Sequence, residues 1–176
     1  MKRKLFIALT LILVALGAWA TPPQQPEKSE GERFVQGLAK IKSDEISYAY
    51  ISANMFKQLF VKTNLNEEMQ EAISFMRSLK SLRRFFTTGK QGYDVMKAAL
   101  LPFLQEKEEV LGMTLMASNR DGGGMVAIYS GQGNTLVVTD YANNETITVV
   151  FVAGLSYESF MEFNNLGIDF IDKNIL

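Results

Sequence analysis

Residues 109–153 read EVLGMTLMASNRDGGGMVAIYSGQGNTLVVTDYANNETITVVFVA, and the expected fold class follows from this stretch. Four runs within it are rich in β-branched and aromatic side chains, at 109–118, 124–130, 135–142 and 146–153. Only the short segments NRDGG, GQGN and NNE, made of glycine and polar residues, separate these runs. Because a parallel return between strands needs a crossover of roughly a dozen residues or more, such short connections predict an antiparallel β-meander.

The glycines of this stretch resemble ligand-binding loops only in part. A phosphate-binding P-loop continues into lysine, then serine or threonine, and a helix, whereas the glycines at 122–124 precede a predicted strand. Gly131 and Gly133 begin a dinucleotide-binding pattern, but Leu136 stands where its third glycine belongs. We therefore predict that both glycine clusters form hairpin turns, where glycine supplies the positive φ angles that tight turns demand.

The N-terminal half of the chain has the spacing of helices and two short strands. Helical periodicity covers 32–42, 53–60, 67–79 and the segment from 92 onward, and strand-like alternation covers 46–52 and 81–88. Pro102 predicts a kink or an end of its helix near Leu101, and Ser156 predicts the cap of a short final helix. The expected fold is α+β, with N-terminal helices and two short strands packed on a C-terminal antiparallel meander.

The first residues have the pattern of a secretory signal peptide. Lys2, Arg3 and Lys4 precede an apolar run, and Ala18-Trp19-Ala20 fits the small-residue pattern before a signal peptidase cut, so we expect cleavage after Ala20. Residues 21–31 (TPPQQPEKSEG) carry no large apolar side chain and are expected to be a disordered linker before a single domain over 32–176.

Composition narrows the chemistry that the chain is expected to perform. The sequence contains no histidine and no cysteine, so imidazole bases, thiolate nucleophiles and a lipid-modified cysteine are all missing. The net charge of −1 gives no electrostatic footprint for nucleic acid, and the signal holds three of the 18 basic residues. We expect an exported protein, periplasmic or secreted and without a lipid anchor, that is not an enzyme and uses no cofactor or metal.

The last three predicted strands are apolar on both faces. We expect one face to be buried, made of Val126, Ile128, Leu136, Val138, Ile147, Val149 and Phe151. The opposite face then carries Met125, Tyr129, Val137, Tyr141, Val150 and Val152 as a possible partner-binding surface. The alternative is that the early helices or the C-terminal tail cover this second face.

The order of these elements resembles a known bacterial family. The segments SYAYISANMFKQLF, LKSLRRFFTT and GYDVMKAALL, followed by the glycine-rich meander, are similar to the exported family catalogued as domain of unknown function 4252. The resemblance covers about residues 32–164 and rests on order and hydrophobic pattern. It implies a small exported α+β protein associated with the cell envelope, and it implies no catalytic residue.

The sequence therefore favours a non-catalytic binding module that presents one sheet face to a protein partner or to a second copy. The alternative is a small hydrolase or isomerase that uses carboxylates such as Asp94 or Glu109, or a carrier of a small apolar ligand. A pocket with two convergent carboxylates would favour the enzyme, and a convex surface around Asp94 and Glu109 would exclude it.

Overall fold

The computed structural model describes residues 28–59 and 78–165, which fold as an α+β protein with one seven-stranded antiparallel sheet. The strands are β1 (Ile46–Ser52), β2 (Ser81–Thr87), β3 (Glu109–Val110), β4 (Met113–Asp121), β5 (Gly124–Gly131), β6 (Asn134–Tyr141) and β7 (Ile147–Ala153). The helices are α1 (Glu30–Leu38), α2 (Ala53–Leu59), α3 (Lys90–Leu104) and α4 (Tyr157–Asn165). The predicted fold class is confirmed. The predicted signal at 1–20 and most of the helix predicted at 67–79 lie outside the described residues.

The sheet has the strand order β1-β2-β7-β6-β5-β4-β3. Strands β3 to β7 form the predicted meander, in which each strand pairs with its neighbour along the chain. The two early strands extend this same sheet, because β2 pairs with β7 and β1 pairs with β2. Among the described residues, the sheet therefore ends at β1 on one side and at β3 on the other.

Helix α1 begins earlier than predicted, within the segment expected to be a disordered linker. The Ser29 hydroxyl accepts the Glu32 N–H at 3.1 Å, and the Glu32 carboxylate accepts the Ser29 N–H at 3.2 Å. This reciprocal capping box satisfies two amides of the first turn, which fixes the helix start at Glu30. Residues 29–31, which were expected to belong to the linker, therefore form the capped start of α1.

The predicted strand at 109–118 is in fact two strands. Leu111 and Gly112 have φ angles of 53° and 67°, so they form a tight turn between β3 and β4. Two consecutive positive φ angles match the twist of a two-residue hairpin, which reverses the chain. The apolar character of Leu111 concealed this turn, because Leu is rare at positive φ.

Helix α3 continues past the position where Pro102 was expected to kink or end it. The helix runs to Leu104, and the Gln105 N–H donates to the Leu101 carbonyl at 3.0 Å. Proline here lies in the last turn, and the neighbouring Phe103 and Leu104 are buried. Their burial offsets the single backbone bond that proline removes.

Helices α1 and α3 pack on one face of the sheet and form the core with it. Val35 and Leu38 of α1 and Met96, Leu100 and Phe103 of α3 belong to one buried cluster. The sheet contributes Phe85, Met113, Met125, Ala127, Tyr129, Leu136, Val138, Ile147, Val149 and Phe151. We call the opposite side of the sheet the outer face.

Two helical glycines are predicted to respond oppositely to alanine. A Cβ at Gly92 would lie 2.8 Å from the Glu45 carbonyl oxygen, and the Gly92 N–H donates to the Glu45 carboxylate at 2.7 Å. Gly92→Ala should therefore destabilise the protein by about 2 kcal/mol despite the better helix propensity of alanine. Gly37→Ala, with nothing within 4 Å of the new Cβ, should stabilise it by about 0.5 kcal/mol. Urea unfolding measures the free energy of unfolding of both variants. A higher free energy of unfolding for both would contradict the close approach of Gly92 to Glu45.

Candidate functional site

The glycine-rich segment forms the two predicted hairpin turns. Gly122 and Gly123 join β4 to β5, and the Asp121 carboxylate accepts the Gly123 N–H at 2.7 Å. Gln132 and Gly133 join β5 to β6 with φ angles of 53° and 70°, the pattern of a type I′ turn. Strand β5 lies between the turns, where a phosphate-binding loop would continue into a helix.

The structure places only some of the residues of the predicted partner-binding face on the outer face of the sheet. Val137, Tyr141 and Val150 do lie together on the outer face, because Val137 pairs with Val150 and Tyr141 has the same strand parity as Val137. Met125 and Tyr129 instead point to the helix-packed side and are 4% and 0% exposed.

On β5, the sequence analysis assigned each alternating set of residues to the wrong face of the sheet. Tyr129 pairs with Leu136, and Ala127 pairs with Val138, so the buried set of β5 is Met125, Ala127 and Tyr129. Val126 and Ile128, which were expected in the core, therefore take the outer face. Both sets are apolar, so strict alternation identified the strand without identifying its inward side.

An apolar row crosses the centre of the outer face. Ile128 pairs with Val137, Val137 pairs with Val150, and Val150 pairs with Arg84. All four side chains are half-buried and keep part of their surface accessible. Since directly paired residues have Cβ atoms about 5 Å apart, three aliphatic side chains lie in contact range and end at a guanidinium.

One end of the outer face is covered. Val152 belongs to the next row, with Leu82 on one side and Thr135 on the other, and all three are buried. The Thr135 hydroxyl donates to the Leu155 carbonyl at 3.0 Å, which places the segment before α4 over this row. Val152 was predicted to be available to a partner, but it is only 5% exposed.

A polar cluster that the sequence analysis missed links α3 to the end of β6. The Lys97 ammonium donates to the Tyr93 hydroxyl at 2.6 Å and lies 3.5 Å from the Asp140 carboxylate. The Tyr93 hydroxyl in turn donates to the Asn144 side-chain oxygen at 3.2 Å. Tyr93 and Lys97 are four residues apart on one helix face, and this spacing was the available signal.

The electrostatics of this cluster favour a structural role. The hydrogen bond to Tyr93 and the charge of Asp140 raise the pKa of Lys97 above its ordinary value, and partial burial opposes them. The raised pKa keeps Lys97 protonated near neutral pH, which favours its charge-assisted contacts with Tyr93 and Asp140. The cluster holds α3 against the sheet through charge-assisted hydrogen bonds.

The two carboxylates of the enzyme hypothesis do not converge. Asp94 is exposed in the first turn of α3 and forms an ion pair with Lys90. Glu109 is exposed on β3, beyond the other end of α3, and the helix rises about 15 Å between Asp94 and Leu104. Catalytic carboxylate pairs lie roughly 5–9.5 Å apart. Among the described residues, no three acidic side chains gather closely enough to bind a metal ion.

The comparisons with known proteins add no relative. No protein-family model matches the chain, and no curated protein or solved structure is detectably similar to it. The resemblance to the family of domain of unknown function 4252 stays a prediction. Across residues 28–59 and 78–165, every helix is too short or too polar to cross a membrane.

Proposed function

We propose that this chain is an exported, envelope-associated interaction module without catalytic activity, and that the outer face of its sheet binds a protein partner. The observation that carries the proposal is the apolar row of Ile128, Val137 and Val150 on the side of the sheet opposite α1 and α3. Side chains in contiguous apolar patches lose unfavourable hydration when a partner covers them.

The chemistry of the row indicates what kind of partner fits. The row is aliphatic apart from Arg84, which suits the apolar side chains of another protein better than a small polar ligand. Arg84 closes the row, and its guanidinium carbon lies 5.7 Å from the centre of the Phe86 ring. A partner with an apolar centre and an acidic residue at its edge would complement both features.

Export is proposed on the basis of the N-terminal pattern. Three basic residues, an apolar run and Ala18-Trp19-Ala20 have the order of a cleaved signal. An exported chain without cysteine needs no disulfide when its domain buries a core of the size described for α1, α3 and the sheet. The mass of the purified chain tests this part, because cleavage after Ala20 leaves Thr21 as the first residue.

Site-specific photo-crosslinking tests the binding surface. A benzoylphenylalanine at Tyr141, which is 44% exposed on the outer face, should give a discrete adduct with the partner in living cells. Val150→Glu should reduce this adduct at least about tenfold, because an unpaired carboxylate in an apolar interface costs several kcal/mol.

Helix α3 provides the matched controls for this experiment. Val95 is 41% exposed on α3, so the same crosslinker at Val95 should give no adduct, and Val95→Glu should leave the Tyr141 adduct unchanged. Equal adducts from both positions, or an adduct at Tyr141 that survives Val150→Glu, would contradict the proposed surface.

A further inference from the structure

Strand β1 is an edge of the sheet that lacks the usual protection against pairing. It reads ISYAYIS and contains no charged residue, no proline and no glycine. In the part of the chain that the structure describes, β1 pairs with β2 and with no strand on its other side. Natural edge strands are usually shortened, bulged or charged, because an unprotected edge pairs with another strand.

The opposite edge of the same sheet shows this protection. Strand β3 has only two residues, Glu109 and Val110, and a tight turn follows it. Strand β4 beside it carries a bulge between Leu115 and Ala117. The two edges of one sheet therefore differ, and only β1 offers a long, regular ladder.

The backbone of β1 presents its hydrogen-bonding groups outward at alternate residues. The Thr88 N–H donates to the Glu45 carbonyl at 2.9 Å, and the Ala53 N–H donates to the Lys80 carbonyl at 3.0 Å. Glu45 and Ala53 therefore belong to hydrogen-bonded pairs with β2. Such pairs alternate along an antiparallel ladder, so Ala49 also directs its backbone N–H and C=O groups towards β2. The N–H and C=O groups of Tyr48 and Tyr50 therefore face away from β2.

Tyr48 and Tyr50, whose backbone groups face away from β2, have exposed side chains that are held in place by contacts with β2. Tyr48 and Tyr50 are 43% and 44% exposed. The Tyr48 ring stacks on Phe85 with a centroid distance of 4.9 Å, and the Arg83 guanidinium carbon lies 4.8 Å from the centre of the Tyr50 ring. Rigid aromatic side chains contribute contact area at an interface with little loss of conformational entropy.

We infer that β1 pairs antiparallel with β1 of a second copy, with the two-fold axis at Ala49, so that two sheets join into one. This register pairs every residue of β1 and sets Tyr48 opposite Tyr50 of the second copy. Both members of that pair have outward backbone groups, so each pair exchanges two hydrogen bonds. The inference goes beyond the proposed function, because it uses the sheet edge and not the outer face.

The strand is complementary to itself, which favours a second copy over a foreign strand. No charge of β1 meets a like charge across the axis, because β1 has none. On the β2 strands, Arg84 pairs with Ala49 and therefore faces Arg84 of the second copy across the axis, with the two backbones three strand spacings or about 14 Å apart. One pairing event also removes both unprotected edges.

Engineered cysteines test the register directly, since the natural chain contains none. In the inferred dimer, Ala49 meets its own copy as a non-hydrogen-bonded pair with Cα atoms about 4.5 Å apart, within the range of a disulfide. Mild oxidation of Ala49→Cys should give a covalent dimer in high yield. Ser47→Cys is the matched control on the same strand and the same face, and it should stay reduced because Ser47 meets Ile51.

The oligomeric state is the second readout. It is measured on the full chain, expressed with its N-terminal segment and purified after the host has processed it. Light scattering should report a dimer for the natural chain. Tyr48→Lys/Tyr50→Lys, which sets lysine opposite lysine, should weaken dimerisation at least tenfold. Tyr141→Lys changes a tyrosine of equal exposure on the outer face and should keep the dimer.

Three results would overturn the inference. The first is a natural chain that stays monomeric both at 100-fold dilution and at its highest concentration. The second is an equal disulfide yield from Ala49→Cys and Ser47→Cys. The third is a dimer that is lost in Tyr141→Lys but kept in the double lysine variant. The last result would move the second copy to the outer face. Loss of the edge dimer with an intact Tyr141 photo-adduct would leave the proposed function standing.

Discussion

Gly124→Ala is expected to destabilise the protein by about 3 kcal/mol or more, through two independent costs. The φ angle of Gly124 is +138°, a region that is open essentially to glycine alone. A Cβ at this position would also overlap the Asp140 carbonyl oxygen and lie 3.0 Å from the Tyr141 Cα. Both neighbours are backbone atoms of β6, so no side-chain rotation relieves the contact.

The neighbouring turn supplies the control for this prediction. Gly122→Ala adds a methyl group with nothing within 4 Å, so it should change the free energy of unfolding by less than about 0.5 kcal/mol. Urea unfolding of both variants measures the difference. Equal midpoints for the two variants would mean that the glycines of this turn are interchangeable and that β5 and β6 do not approach as described.

The type of each element was predictable from the sequence because periodicity is a local property. The meander, both early strands and the final helix follow from alternation, helical spacing and capping residues such as Ser156, whose hydroxyl accepts the Ser159 N–H at 3.3 Å. The turn at Leu111 was missed because nothing local distinguishes a leucine at positive φ from a leucine in a strand. Its conformation depends on β3 pairing back onto β4.

The inward side of β5 could not be predicted, for a different physical reason. Each face of this strand is apolar, so the choice depends on which set fits beneath α3. Ala127 is completely buried, as a small residue beneath the helical layer. Tyr129 reaches the carbonyl of Phe103, one of the last four of α3, and such carbonyls lack partners within their own helix. Both determinants are tertiary contacts.

The candidate surface shows the same division between local and tertiary information. That some apolar side chains would lie on a second sheet face followed from the strand pattern, and Val137 and Val150 are placed as predicted. The burial of Val152 was not predictable, because it depends on Leu155 lying over Thr135. The ion pair of Lys97 with Asp140 likewise joins residues that are far apart in the chain.

Tyr129→Ala is expected to destabilise the protein by about 3–5 kcal/mol, the range for removing a large aromatic side chain from a core. Tyr129 has no exposed surface, and its ring meets Phe103 edge to face with centroids 5.0 Å apart. Tyr141→Ala removes the same side chain from the outer face and should cost less than about 1 kcal/mol. Thermal and urea unfolding of the pair check the assignment of faces, and similar losses would contradict it.

Tyr129→Phe separates the hydroxyl from the ring and adds a pH signature. The hydroxyl donates to the carbonyls of Phe103 and Lys107, each at 3.1 Å, so its removal should cost about 1–3 kcal/mol at neutral pH. Burial and then the charge of Glu106 raise the pKa of Tyr129 above its ordinary value of 10.0. The unfolded chain therefore ionises this tyrosine first, and the advantage of the natural protein over Tyr129→Phe is complete below pH 10.0 and declines as the pH rises towards the folded pKa. An advantage that stays constant from pH 8 to 11 would show that the hydroxyl is not buried as described.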